Sequence, residues 1–180
     1  MGVDFEHANT QYLPASFKRP HIFKRVYLGA YYPPFREKII EMKRRCYERG
    51  CEYWSEFGYR SFALQADLRK KYLAGKGGKA APAGYSAHQF GLADDSTRDT
   101  SLTPGLQPTW ESKAYDVLGE EAARVGLAWG ARYADRPHVQ WPGYENGGQL
   151  APLRKIFLDH PDAGEDEKLR ACWAYLDAIR

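Results

Sequence analysis

The sequence of 180 residues predicts an α+β fold. Apolar side chains recur at three- and four-residue steps from Phe35 to Cys46, the period of a helix, and at every second residue from Cys51 to Tyr59, the period of a strand. Further helical and extended segments follow without regular β-α alternation. We therefore expect one domain in which helices flank a small, mainly antiparallel sheet.

The chain changes character at the proline pair Pro33-Pro34. Residues 1–32 are rich in Pro, Tyr and His without a clean period, and we interpret them as an irregular N-terminal arm. Residues 33–180 are regular and contain neither a repeat nor a linker between domains. We assign this second part to a single domain that includes the C-terminal helices.

The predicted elements begin with a helix that carries Phe35, Ile39, Met42 and Cys46 on its apolar face and ends at Gly50. Strands are predicted at 51–59, 89–95 and 138–141, helices at 62–74, 111–125, 150–158 and 165–179, a flexible loop at 75–84 and a polar surface loop at 96–108. In the helix at 62–74, the apolar positions are Leu64, Leu68 and Tyr72.

Composition excludes several classes of protein. Hydrophobic residues make up 43% of the chain and aromatic residues 14%, enough for an ordinary core. No stretch approaches the roughly 18 apolar residues that membrane insertion requires. The net charge of +3 is spread along the chain, so nucleic acid is not predicted as a partner. A mildly basic surface does suit a polyanion, including a bacterial wall.

The three cysteines, Cys46, Cys51 and Cys172, have no metal-binding spacing, and we interpret them as inert core residues. A bridge between Cys46 and Cys51 is the less favoured alternative. Residues 1–19 lack the apolar run of about 7 to 15 residues that a secretory signal needs. We therefore expect the chain to begin in a cytoplasm.

Two of the five histidines, His88 and His138, stand out by their sequence neighbours. His88 precedes Asp95 by seven residues, and His138 follows Asp135 by three. Histidine and carboxylate side chains are natural zinc ligands, and three of them with water form a catalytic zinc site. A surface or hydrogen-bonding role for each histidine, and a surface ion pair between Asp135 and Arg136, remain alternatives.

Backbone geometry restricts how these residues can meet. A straight strand would place His88 and Asp95 on opposite faces and roughly 23 Å apart. The chain must therefore bend between them, and Gly91 permits a bend at little steric cost. Pro137 excludes a helix interior, so Asp135 and His138 tend to face different ways. His138 is then the better ligand, with Asp135 as a second carboxylate beside the bound water.

The pattern S-x-H-x-x-G-x-A-x-D at 86–95, followed by D-x-P-H at 135–138, resembles the signature of the zinc D,D-carboxypeptidase/L-alanyl-D-glutamate peptidase family, which includes many phage endolysins. Gly58-Tyr59-Arg60-Ser61 with Gln65 is similar to the arginine motif of that family. The segment Gly126-Leu127-Ala128-Trp129-Gly130 extends the similarity, which covers roughly residues 35–141.

The resemblance implies a role for each matching residue. It implies that zinc is bound by His88, Asp95 and His138, that Asp135 is the catalytic acid and base, that Arg60 polarises the scissile carbonyl, and that Ser86 and Gln65 line the substrate cleft. Asp94 departs from the family, which more often has an apolar residue there. We expect this departure to loosen the packing behind Asp95.

The leading hypothesis for function is a monomeric, endolysin-like zinc endopeptidase that cuts the L-Ala-D-Glu bond of peptidoglycan stem peptides. Such an enzyme would wait in the host cytoplasm and act on the wall at lysis. A D-alanyl-D-alanine carboxypeptidase or dipeptidase is the alternative with the same chemistry. A catalytically silent wall-binding or virion domain is the alternative of a different class.

Overall fold

The computed structural model describes residues 4–101 and 106–180. Its helices are α1 (Phe5–Asn9), α2 (Pro33–Glu48), α3 (Phe62–Leu73), α4 (Asp116–Arg124), α5 (Ala151–Asp159) and α6 (Glu165–Ala178). Its strands are β1 (Glu52–Phe57), β2 (Ala93–Asp99), β3 (Pro108–Thr109), β4 (Ala128–Trp129) and β5 (His138–Gln140). These elements form the single α+β domain that the sequence predicts.

The strands form one sheet in the order β1-β2-β5-β4, in which every pairing is antiparallel. β3 pairs with the far end of β2. Strand β2 lies inside the sheet and is covered along most of its length, which brings its residues next to both β1 and β5. The predicted antiparallel sheet is thus confirmed.

Helix α2 packs against α4 and β1 through the face that its period predicts. Phe35, Ile39, Met42 and Cys46 are all fully buried. All three cysteines are free, and burial raises the pKa of the Cys46 and Cys172 thiols to about 12. Such thiols are poor nucleophiles, in agreement with an inert structural role.

The residues before the domain boundary contribute directly to the core. Phe23, Leu28 and Tyr31 are fully buried, although only short helical turns organise this part of the chain. Asn9 fixes the path of the segment: its side chain donates to the carbonyls of Phe23 and Val26 and accepts from the backbone N–H of Leu28. A buried amide with its hydrogen bonds satisfied stabilises one arrangement of the backbone.

Three local predictions are wrong. The strand predicted at 89–95 begins only at Ala93, because Ala87–Phe90 forms a 3-10 turn that ends at Gly91. The polar loop predicted at 96–108 begins later, because β2 continues to Asp99; residues 102–105 of that loop lie outside the described part. In α3, the predicted apolar face is partly open: Leu64 is 48% exposed, while the polar Gln65 is buried. In β2 and α3 buried polar residues replace the apolar ones that periodicity detects.

Within the described residues, no helix is both long enough and apolar enough to cross a bilayer.

Behind the sheet, Asp94 takes part in a fully buried ion pair with Lys43 of α2, with 3.4 Å between Lys43 Nζ and Asp94 Oδ2. The hydroxyls of Tyr31 and Ser96 each donate to the Asp94 carboxylate at 2.7 Å. Lys43 also donates to Ser96 Oγ at 2.6 Å. The prediction that Asp94 loosens the packing is therefore wrong, because four polar groups satisfy one another there.

We expect Lys43→Met to lower the free energy of unfolding by about 3–5 kcal/mol, because it leaves the Asp94 carboxylate buried without its cation. The double variant Lys43→Met/Asp94→Asn should recover most of this loss, since the amide oxygen still accepts from Tyr31. Urea unfolding measures the free energy of unfolding of both variants, and Lys113→Met at an exposed position is the control. Equal destabilisation of the single and double variants would contradict the proposed balance of charges.

Candidate metal centre

Three different segments bring the predicted metal ligands together. His88 lies in a single 3-10 turn, Ala87–Phe90, while Asp95 lies on β2 and His138 begins β5. Asp95 and His138 are paired across the antiparallel ladder, so their side chains share one face of the sheet. The structure thus brings the two histidines to the same carboxylate.

The predicted bend between His88 and Asp95 is present at Gly91. Gly91 ends the 3-10 turn with φ at +68°, in the left-handed region that favours glycine. A Cβ atom there would also lie 2.3 Å from the carbonyl oxygen of Ala30. Both conformation and space therefore require glycine at the point where the chain turns from His88 into β2.

The ligand atoms converge closely. His138 Nδ1 lies 2.7 Å and His88 Nε2 lies 3.3 Å from Asp95 Oδ1. One ligand atom from each of the three residues lies within 4.8 Å of the other two, and His88 and His138 are buried. Two imidazole nitrogens and one carboxylate oxygen are a donor set that suits zinc and leaves a coordination position open.

The ring nitrogen of each histidine that points away from Asp95 has its own partner. His88 Nδ1 lies 2.7 Å from the carbonyl oxygen of Gly58, and His138 Nε2 lies 2.7 Å from Gln140 Oε1. Because a carbonyl oxygen can only accept, these contacts place a hydrogen on the outer nitrogen of each ring. In the neutral ring, which is the form that binds a metal, the inner nitrogen then carries the lone pair.

The electrostatics of the site favour a charged Asp95 beside the histidines. Burial by itself raises the pKa of Asp95, but attraction to His88 and hydrogen bonding with both histidines hold it well below its usual range. Burial lowers the pKa of His88. For His138 burial acts in the same direction, but the Asp95 contact outweighs it and raises the pKa.

Asp135 precedes β5 in a tight turn next to the ligands. The 3-10 turn Gly130–Tyr133 ends at Ala134, whose φ of +61° is left-handed although the residue is not glycine. The backbone N–H of Asp135 then donates to the carbonyl of Gly130 at 3.0 Å. Partial removal from water raises the pKa of Asp135. Attraction to His138 opposes this rise, and repulsion from Asp95 adds to it.

Arg60 contacts the second carboxylate oxygen of Asp95, Oδ2, whereas the two histidines lie near Oδ1. Its Nη2 donates to Asp95 Oδ2 at 2.5 Å, and its guanidinium lies over the ring of Phe57, 5.4 Å from the centroid. A shift of register in β1 between Ser55 and Phe57 pairs Phe57 with Asp95, and Phe57 is 54% exposed. The bulge therefore puts a cation and an open aromatic ring beside the ligands.

The two residues expected to line a substrate cleft differ in their surroundings. Gln65 is buried on α3 and donates from Nε2 to the carbonyl of Ala81 at 2.8 Å, which fixes the loop leading to His88. Ser86 is half-buried and stands directly before the 3-10 turn of His88. Contact of either residue with a substrate stays a prediction.

Residues 33–144 match the model of the VanY family, described as D-alanyl-D-alanine carboxypeptidase. The match covers more than half of the chain and includes all three ligands, so the chain belongs to this family. The predicted membership is confirmed. The protein is accordingly a hydrolase of the peptidase class that acts on peptidoglycan.

Solved structures with similarity to this chain include ChiX, an L-Ala D-Glu endopeptidase of Serratia marcescens, at 23% identity and a TM-score of 0.44, with 63% of this chain and 82% of that chain covered. The LD-carboxypeptidase LdcB has 23% identity, a TM-score of 0.47, and coverage of 72% and 77%. The L,D-carboxypeptidase DacB from Streptococcus pneumonia has 23% identity, a TM-score of 0.46, and coverage of 71% and 76%. A search of proteins with curated functions found no match.

Sequence reasoning missed the groups that orient the ligands. Gln140 is 4% exposed, and its Oε1 also accepts from the Tyr133 hydroxyl at 3.2 Å. Gly58 supplies only its backbone carbonyl, and a Cβ atom there would lie 2.3 Å from the Tyr31 hydroxyl. A polar residue two positions after His138 in a strand was the available signal for Gln140, because such residues share a face.

We expect Gln140→Leu to lower the affinity for Zn²⁺ by about 10- to 100-fold, because His138 loses the acceptor that fixes its hydrogen on Nε2. Gln140→Glu keeps an acceptor oxygen and should retain tight binding. Competition with a chromogenic chelator measures both affinities. Thr97→Val is the control, a buried polar-to-apolar change on β2. A Leu variant that binds Zn²⁺ as tightly as the control variant would rule out this role of Gln140.

Proposed function

We propose that this protein is a zinc-dependent peptidoglycan peptidase that hydrolyses the L-Ala-D-Glu bond of stem peptides, in the manner of an endolysin that lyses the bacterial wall. The observation that carries the proposal is the convergence of His88, Asp95 and His138, in which the inner nitrogen of each ring faces the Asp95 carboxylate. Membership of the VanY family supports the peptide bond as the target.

The chain's own residues fit the zinc ion that the family implies. His88 Nε2, His138 Nδ1 and Asp95 Oδ1 would hold it, and the carbonyl of Gly58 and the amide of Gln140 would orient the rings. When bound, zinc supplies Lewis acidity, which polarises a peptide carbonyl and acidifies water.

We assign to Asp135 the role of general base, because it lies three residues before His138 and its pKa is raised. A raised pKa brings a carboxyl group closer to the operating pH, which helps it to take a proton from the attacking water and return it to the leaving amine. Arg60 is the cation beside the ligands, and we assign to it the stabilisation of the developing oxyanion. A donor of this kind typically contributes roughly 3–4 kcal/mol to the transition state.

The choice of an endopeptidase rests on the cations near the site. An exopeptidase needs a dedicated cation for the free carboxylate at the end of its substrate. Arg136 is unsuited to this role because its guanidinium bonds to the Ser112 carbonyl and to Asp116 and stacks on Trp129. Arg60 is already assigned to the oxyanion, and Arg132 is exposed at the surface. We therefore favour the endopeptidase.

A D-alanyl-D-alanine carboxypeptidase is the second candidate, and the description of the matching family favours it. Both reactions would use the same ligands, base and arginine. A catalytically silent wall-binding domain is less well supported, because the full ligand set and Asp135 are retained. We expect the active protein to be a monomer, since all of these groups come from one chain.

We expect Asp135→Asn to retain Zn²⁺ and the native fold while losing most hydrolysis, because the amide keeps the shape but cannot exchange a proton. Asp95→Asn, His88→Ala and His138→Ala should instead lose metal. Elemental analysis and turbidity of purified sacculi separate the two groups of variants. Full activity of Asp135→Asn would assign the proton transfer to another group, and undiminished zinc in both histidine variants would overturn the metal site.

Mass spectrometry of purified muropeptides tests the bond itself. Cleavage at L-Ala-D-Glu should release peptides with a free N-terminal D-Glu, and the turbidity of sacculi should fall. Release of D-alanine alone, with the link between stem and glycan intact, would favour the carboxypeptidase. The Asp135→Asn protein is the control for contaminating hydrolases.

A further inference from the structure

One segment of this protein carries basic residues without any acidic ones. From Leu68 to Ala93 the sequence contains five of the 26 basic residues and none of the 23 acidic ones. The segment therefore has a local net charge of +5, while the rest of the chain has 21 basic residues against 23 acidic ones.

The five cations of this segment, which we call the basic segment, are Arg69, Lys70, Lys71, Lys76 and Lys79. Every residue from Lys70 to Lys79 is exposed. Lys71 forms an ion pair with Asp67 at the solvent surface. Within the described residues, no acidic side chain pairs with Lys70, Lys76 or Lys79. Their charges therefore remain available to an outside anion.

The fold holds these cations together at one end of α3. Arg69, Lys70 and Lys71 lie in the last turns of the helix, where the helix dipole favours positive charge. The following loop turns back at once, since Gly75 is left-handed and Lys76 N–H donates to the Lys71 carbonyl. Arg69 then donates to the carbonyl of Ala80 at 2.9 Å, which fastens the far end of the loop to the helix.

The chain leads from the basic segment to a residue of the candidate metal centre. Gln65 of α3 donates to the carbonyl of Ala81, and the chain continues from there to Ser86 and His88. A polymer bound along the segment would therefore lie beside the loop that leads to His88. The repulsion among five neighbouring cations costs stability in the free protein, and a bound polyanion would relieve it.

We propose that the basic segment is a docking surface for a phosphate-rich anionic polymer of the cell wall. The choice of a wall polymer as the partner rests on the proposed function. The complementarity between the positive segment and an anionic polymer is independent of that function. A membrane surface fits less well, because Tyr72 and Leu73 are the two large apolar side chains exposed between Lys70 and Lys79. An interfacial helix instead presents a continuous apolar face.

The test compares two variants of equal net charge. In one, Lys70, Lys71, Lys76 and Lys79 are replaced by Gln; in the other, the exposed lysines Lys18, Lys24, Lys113 and Lys155 are replaced by Gln. The probe is fluorescently labelled inorganic polyphosphate, titrated at several salt concentrations. The segment variant should bind about tenfold or more weakly than the wild type, with a salt dependence reduced by about one unit of log–log slope for each contacting lysine lost. The control variant should bind nearly as well as the wild type.

Three further readouts separate this proposal from the proposed catalysis. His88→Ala should still bind polyphosphate, even if zinc and hydrolysis are lost. The segment variant should hydrolyse a small soluble muropeptide at the wild-type rate but digest intact sacculi more slowly. Equal loss of binding in both quadruple variants, or binding to phosphatidylglycerol vesicles without binding to polyphosphate, would overturn the proposal.

Discussion

Strand β2 carries a carboxylate on each of its faces, one fully buried and one partly buried, and the rest of the structure follows from satisfying both. The pleat sends the adjacent Asp94 and Asp95 in opposite directions. Asp94 meets Lys43, Tyr31 and Ser96 on the core side, while Asp95 meets the histidines and Arg60 on the other. A shift of one residue in register would exchange the two sets of partners, so the pairs fix the strand as firmly as any apolar contact.

The candidate centre is built at places where elements end. His88 stands in a turn before β2, His138 is the first residue of β5, and Arg60 follows β1. Backbone groups join these ends: Arg60 N–H donates to the His88 carbonyl, and the Gly58 carbonyl orients the His88 ring. Main-chain hydrogen bonds between segments distant in sequence thus hold the predicted ligands in place before a metal binds.

The convergence of His88, Asp95 and His138 could be predicted because their motifs resemble those of a known family, and the need for a bend between His88 and Asp95 identified Gly91. Periodicity likewise predicted α2, since its buried face is apolar apart from Lys43. It failed where burial is polar. The continuation of β2 through Ser96 and Thr97 depends on pairing with β1, and the burial of Gln65 depends on its hydrogen bond to Ala81. Gln140 is buried because it contacts His138. Hydrophobic patterns encode none of these polar contacts.

Ala134, the residue before Asp135, has a left-handed backbone conformation, which sets the stability of the turn against the preorganisation of Asp135. A non-glycine residue in this conformation costs roughly 1–2 kcal/mol. Glycine would remove that cost, but it would also widen the conformations open to the turn and raise the entropy of the unfolded chain. The methyl group of Ala134 therefore narrows the range of positions that the Asp135 carboxylate samples, at the expense of a less stable loop. The contribution of Ala134 would therefore lie in the orientation of the Asp135 carboxylate and not in the stability of the fold.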